Sequence, residues 1–179
     1  MVDTEALSAR KVAIFTTFSS ADEAYSLNRV VIDQIKMLTQ GGYKIKVIVA
    51  APFEPKGEYL NPDVKLERIP IVAVHNEVKK DETFDKDVAD LEKALEEALV
   101  GADVVITHDV IYQNACLKHN FAARRVAEKH PEIRWLHWIH SATSPVTLAA
   151  LRDYFSDEYL KLVEKPFPNS RYVFFNDWS

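Results

Sequence analysis

Short apolar runs alternate with amphipathic segments along the chain, and this alternation restricts the possible folds more than any other feature of the sequence. The apolar runs are too densely hydrophobic for strands with one wet face, so they predict strands that are buried on both sides. The segments between them carry apolar residues at helical spacing. Strands and helices in alternation form a parallel sheet with helices on both faces. We therefore predict one doubly wound, Rossmann-like α/β domain of about six strands over residues 1–179.

The apolar runs set the bounds of the predicted elements. Six strands are predicted, at residues 11–15, 44–50, 64–74, 103–107, 134–139 and 171–175. The third of these is either one strand or a strand pair. Helices are predicted at residues 21–40, 88–99, 114–129 and 146–154. Ser20 and Glu23 have the spacing of a capping box at the start of the first helix, and Gly41 and Gly42 follow its end.

Polar side chains follow three of the predicted strands at the point where each strand ends. These residues are Ser19 and Ser20 after the first strand, His108 and Asp109 after the fourth, and His140 and Ser141 after the fifth. In an open α/β sheet, ligands bind just outside the carboxyl ends of the strands. We therefore predict that these six residues line one binding site.

Each of these residues also has a purely structural interpretation. His140 either contacts a ligand or hydrogen-bonds the turn that it occupies. Asp109 either orients His108 or binds a polyol beside it, or it caps the turn that follows. Ser20 lies before a predicted helix, where it either helps to bind an anion or serves only as the cap. The sequence leaves these alternatives open.

The histidines and the single cysteine do not form a metal-binding pattern. His137 and His140 are three residues apart, so on a continuous strand they point to opposite faces and cannot hold one ion together. Cys116 is the only cysteine, and no paired Cys or His spacing typical of metal sites occurs. We predict no metal site and a buried, hydrogen-bonded His137. Three other histidines are expected at the surface, namely His75, His119 and His130.

Composition excludes several classes of partner. The net charge is −5, and lysine and arginine form no dense block, which argues against nucleic acid or an anionic membrane as the partner. The first residues are polar and charged, unlike a signal peptide, and no apolar run is long enough to span a bilayer. With one cysteine no internal disulfide can form, which fits a reducing compartment. We expect a cytoplasmic protein.

The first strand–helix loop contains no glycine. It has the sequence TTFSSADEAYSLN, whereas dinucleotide-binding folds carry G-x-G-x-x-G at this position, where the backbone approaches a pyrophosphate. A Walker-type lysine loop is also absent from the sequence. These features argue against NAD-dependent chemistry and P-loop NTPase activity, and we predict no tightly bound cofactor.

The order and spacing of several segments resemble a known enzyme family over nearly the whole chain. These segments are KVAIFTTF, QGGYKIKVIVA, ADVVITHD, RWLHWIHSATSP and RYVFFNDWS. They are similar to the N-terminal domain of GT-B glycosyltransferases of the retaining, glycogen-synthase-like and mannosyltransferase-like group. In that family this half binds the sugar acceptor, and the other half binds the nucleotide-sugar donor. The resemblance therefore implies the acceptor-side half of a glycosyltransferase of class EC 2.4.

The resemblance also implies roles for individual residues. His140 corresponds to the family's histidine near the transferred sugar, which makes it the candidate catalytic residue. Ser19 and Ser20 stand where the family has glycines, so this loop departs from the usual contact with the donor phosphate. No residue matches the basic pair and glutamate of the donor-binding half. The expected partners are thus a C-terminal donor-binding domain or subunit and a sugar acceptor.

On this interpretation the isolated chain should be inactive. The complete enzyme should need no cofactor besides the nucleotide-sugar donor. The alternative is a stand-alone, non-catalytic Rossmann-like binding module, because fold alone does not determine function.

Overall fold

The computed structural model describes residues 11–22, 26–70, 82–111, 113, 116–140 and 165–174, which contain a six-stranded sheet. The strands are β1 (Val12–Phe15), β2 (Ile45–Ala50), β3 (Val64–Ile69), β4 (Val104–His108), β5 (Arg134–Ile139) and β6 (Ser170–Phe174). Their order is β3-β2-β1-β4-β5-β6, and every neighbouring pair is parallel. The predicted fold class is confirmed. Of the predicted third strand, residues 71–74 lie outside the described residues.

Helices cover both faces of the sheet, as predicted. Among the described residues they are α1 (Ser26–Gln40), α2 (Phe84–Ala98) and α3 (Leu117–Lys129), with a short 3₁₀ helix at Gly57–Leu60. Within those residues, no helix combines the length and apolar character needed to cross a membrane. The predicted helix at residues 146–154 lies outside the described residues.

Two hydrophobic cores form because successive strand residues point to opposite faces of the sheet. On one face, Ile14 and Val47 lie in a buried cluster with Val31 and Ile35 of α1. The core on the other face includes strand residues and the apolar sides of α2 and α3. Its members include Phe15, Val105, Trp135, Leu91 and Phe121. All four residues of β1 are buried, as expected for a central strand covered on both sides.

Glycine ends α1 as predicted, but the start of this helix differs from the prediction. Gly42 has φ 82°, its N–H donates to Thr39 O, and the N–H of Tyr43 donates to Leu38 O. This is the Schellman motif that satisfies the last helical carbonyls. The predicted capping role of Ser20 is wrong: residues 21 and 22 are not helical, and α1 as described begins at Ser26. Glu23 lies outside the described residues.

Ion pairs join α2 to α3. Glu92 Oε1 lies 2.6 Å from Lys129 Nζ, Glu92 Oε2 lies 3.3 Å from Arg125, and Lys129 also binds Glu96 at 2.8 Å. Burial would raise the pKa of Glu92, but hydrogen bonds from Lys129 and Arg125 outweigh it and lower that pKa. The acidic side of α2 therefore helps to fix α3, which starts just after β4.

The strand order places a topological switch point between β1 and β4. From β1 the chain proceeds through β2 to β3 on one side, and from β4 through β5 to β6 on the other. Connections that leave two adjacent strands in opposite directions open a crevice at their carboxyl ends, where α/β proteins bind ligands. Polar residues after β1, β4 and β5 therefore lie on the edge of the sheet where a ligand is expected.

Candidate functional site

Two histidines meet at the carboxyl edge of the sheet. His108 is the last residue of β4 and His140 follows β5 directly. His108 Nδ1 lies 3.0 Å from His140 Nε2, and the two ring planes are inclined by 26° with centroids 5.3 Å apart. On its other side, His108 Nε2 lies 2.9 Å from Gln34 Oε1 of α1. His108 and His140, the histidine pair, are thus held by elements that are distant in sequence.

The hydrogen-bond pattern assigns the protons of the histidine pair to particular ring nitrogens. With Gln34 Oε1 placed towards the ring, Gln34 is the acceptor, and this placement assigns the proton to His108 Nε2. Burial and then the neighbouring His140 lower the pKa of His108 to about 3, so this ring is neutral at pH 7. Its Nδ1 must then accept a hydrogen bond, and His140 Nε2–H donates it. His140 therefore keeps a proton on Nε2.

This arrangement defines what His140 can do chemically. His140 is half-buried; burial lowers its pKa, and the nearby Asp109 carboxylate opposes that shift. In the neutral ring with a proton on Nε2, Nδ1 carries a lone pair and acts as a hydrogen-bond acceptor or a base. A base held at a fixed position can polarise a hydroxyl group that is placed beside it.

Asp109 fixes the backbone of His140. Its carboxylate Oδ1 accepts the backbone N–H of His140 at 2.6 Å, and its own N–H donates to Trp138 O at 3.1 Å. Asp109 has φ 54°, a left-handed conformation that aspartate adopts more readily than most residues. The carboxylate thus supports the chain that carries His140, an arrangement that neither of its sequence-based interpretations included.

His137 is a core residue, as predicted. It is 1% exposed, its Nδ1 lies 2.7 Å from Thr107 Oγ1, and its ring centroid lies 4.4 Å from that of Phe167. Burial and then the charge of Arg124 lower the pKa of His137 to about 3. His137 belongs to the sheet face covered by α2 and α3, opposite to the face of His108, because Thr107 and His108 alternate along β4.

The surface prediction for His119 is wrong. His119 is 1% exposed, and its ring centroid lies 6.5 Å from that of Phe15. Three inward residues were predicted for α3, namely Leu117, Phe121 and Val126. The buried side of the helix is wider than these three residues indicated. His130 is half-buried beside Glu132, and His75 lies outside the described residues.

Ser19 and Ser20 line a cleft on the same edge of the sheet. This rim cleft has a volume of about 580 Å³ and lies between the loops that follow β1 and β2. It is lined chiefly by Ser19, Ser20, Asp22, Pro52, Glu54 and Lys56. Ser19 and Ser20 lie in the loop before α1, which as described begins at Ser26, and their role in binding an anion stays a prediction. Ser141 lies outside the described residues.

Two amide side chains in this region are buried, which the sequence did not predict. Gln34 is 5% exposed and binds His108, and Asn28 is fully buried near the rim cleft. Both lie on the inward side of α1, Gln34 between Val31 and Ile35. A polar residue on the apolar side of an amphipathic helix was the available signal, because a buried amide must find hydrogen-bond partners.

The described rim residues form no metal centre. In the part of the chain that the structure describes, no group of three or more His, Cys, Asp or Glu side chains is arranged to hold a metal ion. Cys116 is buried with Sγ 3.8 Å from Thr17 Oγ1, and burial raises its pKa to about 11. Its thiol is therefore protonated at neutral pH and is a poor nucleophile.

Comparison with solved structures identifies a similar fold. Sucrose-phosphate synthase from Thermosynechococcus elongatus aligns with a TM-score of 0.51 and 15% identity, over 87% of this chain and 39% of that enzyme's chain. Another structure of that enzyme aligns with a TM-score of 0.46 and 12% identity, over 94% of this chain and 91% of the other. No family model matches the chain, and no curated protein matches it.

At this level of identity the likeness shows a shared fold. The domain has a glycosyltransferase-like, Rossmann-type α/β fold of the kind that forms half of a GT-B enzyme. The chain spans 39% of the length of the first sucrose-phosphate synthase chain that it matches.

Proposed function

We propose that this chain is the acceptor-side half of a GT-B glycosyltransferase, which transfers a sugar from a nucleotide-sugar donor. The observation that carries the proposal is the histidine pair at the carboxyl edge of the sheet, beside the switch point. The fold likeness to a sucrose-phosphate synthase supports the same class of enzyme. A sugar acceptor would bind on the edge formed by the loops after β1, β2, β4 and β5.

In this proposal His140 is the residue that contacts the transferred sugar. Its Nε2–H is held by His108 and its backbone N–H by Asp109, so the ring has little freedom to turn away. Neutral His140 then accepts a hydrogen bond from a sugar hydroxyl through Nδ1. A positioned group of this kind typically contributes ~100-fold or more to turnover. Asp109 and His108 act as positioning residues.

The nucleotide-sugar donor would bind mainly to a second domain, in the same chain or in a partner subunit. Donor phosphates need cationic or backbone N–H groups, and Ser19 and Ser20 occupy the loop in which a glycine-rich turn would supply them. Transfer then requires both halves, because alignment of donor and acceptor accounts for several kcal/mol of the barrier. The mechanism needs no cofactor besides the nucleotide sugar. Cytoplasmic location and the lack of nucleic-acid or membrane partners remain predictions.

The test is sugar transfer by the protein together with its donor-binding half, using a panel of nucleotide sugars. We expect His140→Ala to lower kcat ~100-fold or more while the thermal midpoint changes little. His130→Ala is the matched control, because His130 is a half-buried histidine at the opposite edge of the sheet, before β5. A lowered midpoint with native kcat would make His140 purely structural. Lack of transfer with every donor would instead support a non-catalytic binding module.

A further inference from the structure

The rim cleft carries the side-chain chemistry of a sugar-binding site. Ser19 and Ser20 supply hydroxyls, Asp22 and Glu54 supply carboxylates, and Lys56 supplies an ammonium group. Sugar hydroxyls both donate and accept hydrogen bonds, so a mixed set of donors and acceptors matches them. A volume of about 580 Å³ falls within the range of small-molecule sites.

A buried carboxamide fixes one wall of the rim cleft. Asn28 Nδ2 donates to Ser20 O at 3.2 Å and to Asp22 O at 3.0 Å. Asn28 Oδ1 accepts the hydroxyl of Tyr59 at 2.5 Å, and Tyr59 is 2% exposed. Asn28 therefore joins the loop after β1 to the 3₁₀ helix that follows the loop after β2.

Backbone bonds fix the two walls to the sheet and to each other. The N–H of Ala50, at the end of β2, donates to Phe18 O in the loop after β1 at 2.9 Å. In the second wall, the N–H of Phe53 donates to Ala50 O and the N–H of Tyr59 donates to Lys56 O. A cleft whose walls are ordered before binding loses less conformational entropy when a ligand enters.

The charges that line the rim cleft select among sugars. Among the described lining residues there are two carboxylates and one ammonium group, which gives these side chains a net charge of about −1 at neutral pH. A phosphate ester carries close to two negative charges and would be repelled, whereas hydroxyls can donate to the same carboxylates. We infer that the rim cleft binds an unphosphorylated, hydroxyl-rich sugar and discriminates against its phosphorylated form. This inference rests on the proposed function, under which that sugar is the acceptor.

The test is a two-dimensional NMR titration of the ¹⁵N-labelled chain. The probes are glucose, fructose and their disaccharides, with the 6-phosphate of each monosaccharide as its matched partner. We expect the unphosphorylated sugars to shift the backbone amides of Ser19, Ser20 and Glu54. Each 6-phosphate should bind at least about tenfold more weakly because of charge repulsion in the rim cleft.

Removing the carboxylates tests the cause of the selection. The double variant Asp22→Asn with Glu54→Gln changes the charge of these side chains from about −1 to about +1, so the preference for the unphosphorylated sugar should be lost or reversed. Glu97→Gln, which removes an exposed carboxylate from α2, is the control and should leave the preference unchanged. The inference is overturned if no sugar shifts these amides, or if a 6-phosphate binds the rim cleft as tightly as its parent sugar.

The outcomes separate this inference from the proposed function. Sugar binding in the rim cleft without transfer by the assembled protein would overturn the glycosyltransferase proposal and leave the inference standing. Transfer to a phosphorylated acceptor, with no unphosphorylated sugar bound in the rim cleft, would overturn the inference alone.

Discussion

The Nδ1 atom of His108 lies 3.0 Å from the Nε2 atom of His140, although 32 positions separate the two residues in the chain. Gln34 holds the other ring nitrogen of His108 at 2.9 Å. Each hydrogen bond fixes the direction of the next, so an amide on α1 determines which nitrogen of His140 carries a proton. The chemistry available at the edge of the sheet therefore depends on a helix residue that lies away from it.

This chain of hydrogen bonds can be tested through the imidazole ¹⁵N shifts of His108 and His140. Both rings should carry their proton on Nε2 at pH 7. In Gln34→Glu, the carboxylate should keep His108 Nε2 protonated and raise the pKa of His108 above about 3, because an opposite charge favours the imidazolium. Gln40→Glu, at the exposed end of the same helix, is the control. A wild-type His108 protonated on Nδ1 would show that Gln34 donates instead, and would reverse the roles derived for the pair.

Two buried histidines should make the fold sensitive to acid. His108 and His137 have pKa values lowered from 6.5 to about 3 by burial first. Between about pH 3 and pH 6.5 the unfolded chain binds more protons than the folded chain, so the free energy of unfolding falls as the pH drops from about 6.5 towards 3. Above pH 6.5 these two histidines are neutral in both states and do not change the free energy of unfolding with pH. The loss is about 1.4 kcal/mol per pH unit for each histidine. Urea unfolding at pH 7, 6 and 5 measures it.

A paired substitution isolates the share of His137. The double variant Thr107→Val with His137→Phe replaces both hydrogen-bonded partners by apolar groups, so its stability at pH 7 should be close to that of the parent. The number of protons taken up on unfolding in acid should fall by about one, which lowers the pH dependence of the free energy of unfolding. Thr107→Val alone should be less stable, by ~1–3 kcal/mol, because His137 Nδ1 then lacks its partner. An unchanged pH slope in the double variant would show that His137 is not the acid-sensitive group.

The sequence predicted the sheet well because strand and helix periods are local signals. Arg134–Ile139 was predicted with the bounds that β5 has, and the inward residues of α3 were predicted in part. Those signals do not report which polar groups meet after folding. The capping box at Ser20 was wrong because Asn28 and Tyr59 order that loop through tertiary hydrogen bonds. A local motif was replaced by contacts that only the folded chain can make.

The sequence also predicted only some of the residues that meet at the candidate site. The rule that ligands bind at the carboxyl ends of strands selected His108, Asp109 and His140, and hydrogen bonds join these three residues. The hydrogen bond between Gln34 and His108 could not be predicted from the sequence, because it depends on how α1 packs across β1 and β4. The burial of His119 was missed since a histidine on a helix gives no apolar signal of its own.

Glu92 should stabilise the contact between α2 and α3. Its carboxylate is 14% exposed and binds both Lys129 and Arg125. Glu92→Gln should cost on the order of 1 kcal/mol, and less at high salt because exposed partners are screened. Glu97→Gln on the same helix is exposed and should have little effect. Urea midpoints at low and high salt measure this difference, and equal midpoints for the two variants would contradict it.

Tyr59 should stabilise the rim cleft through its hydroxyl. Burial raises the pKa of Tyr59, so the phenol stays protonated and donates to Asn28 Oδ1. Tyr59→Phe keeps the ring and leaves a buried acceptor without its donor, which should cost ~1–3 kcal/mol and lower the thermal midpoint by several degrees. Tyr43→Phe, at a half-buried position, is the matched control. Calorimetry and the amide shifts of Ser20 and Asp22 test this together. A native midpoint with unmoved amides would mean that the short hydrogen bond does not order the wall, and that its backbone bonds suffice.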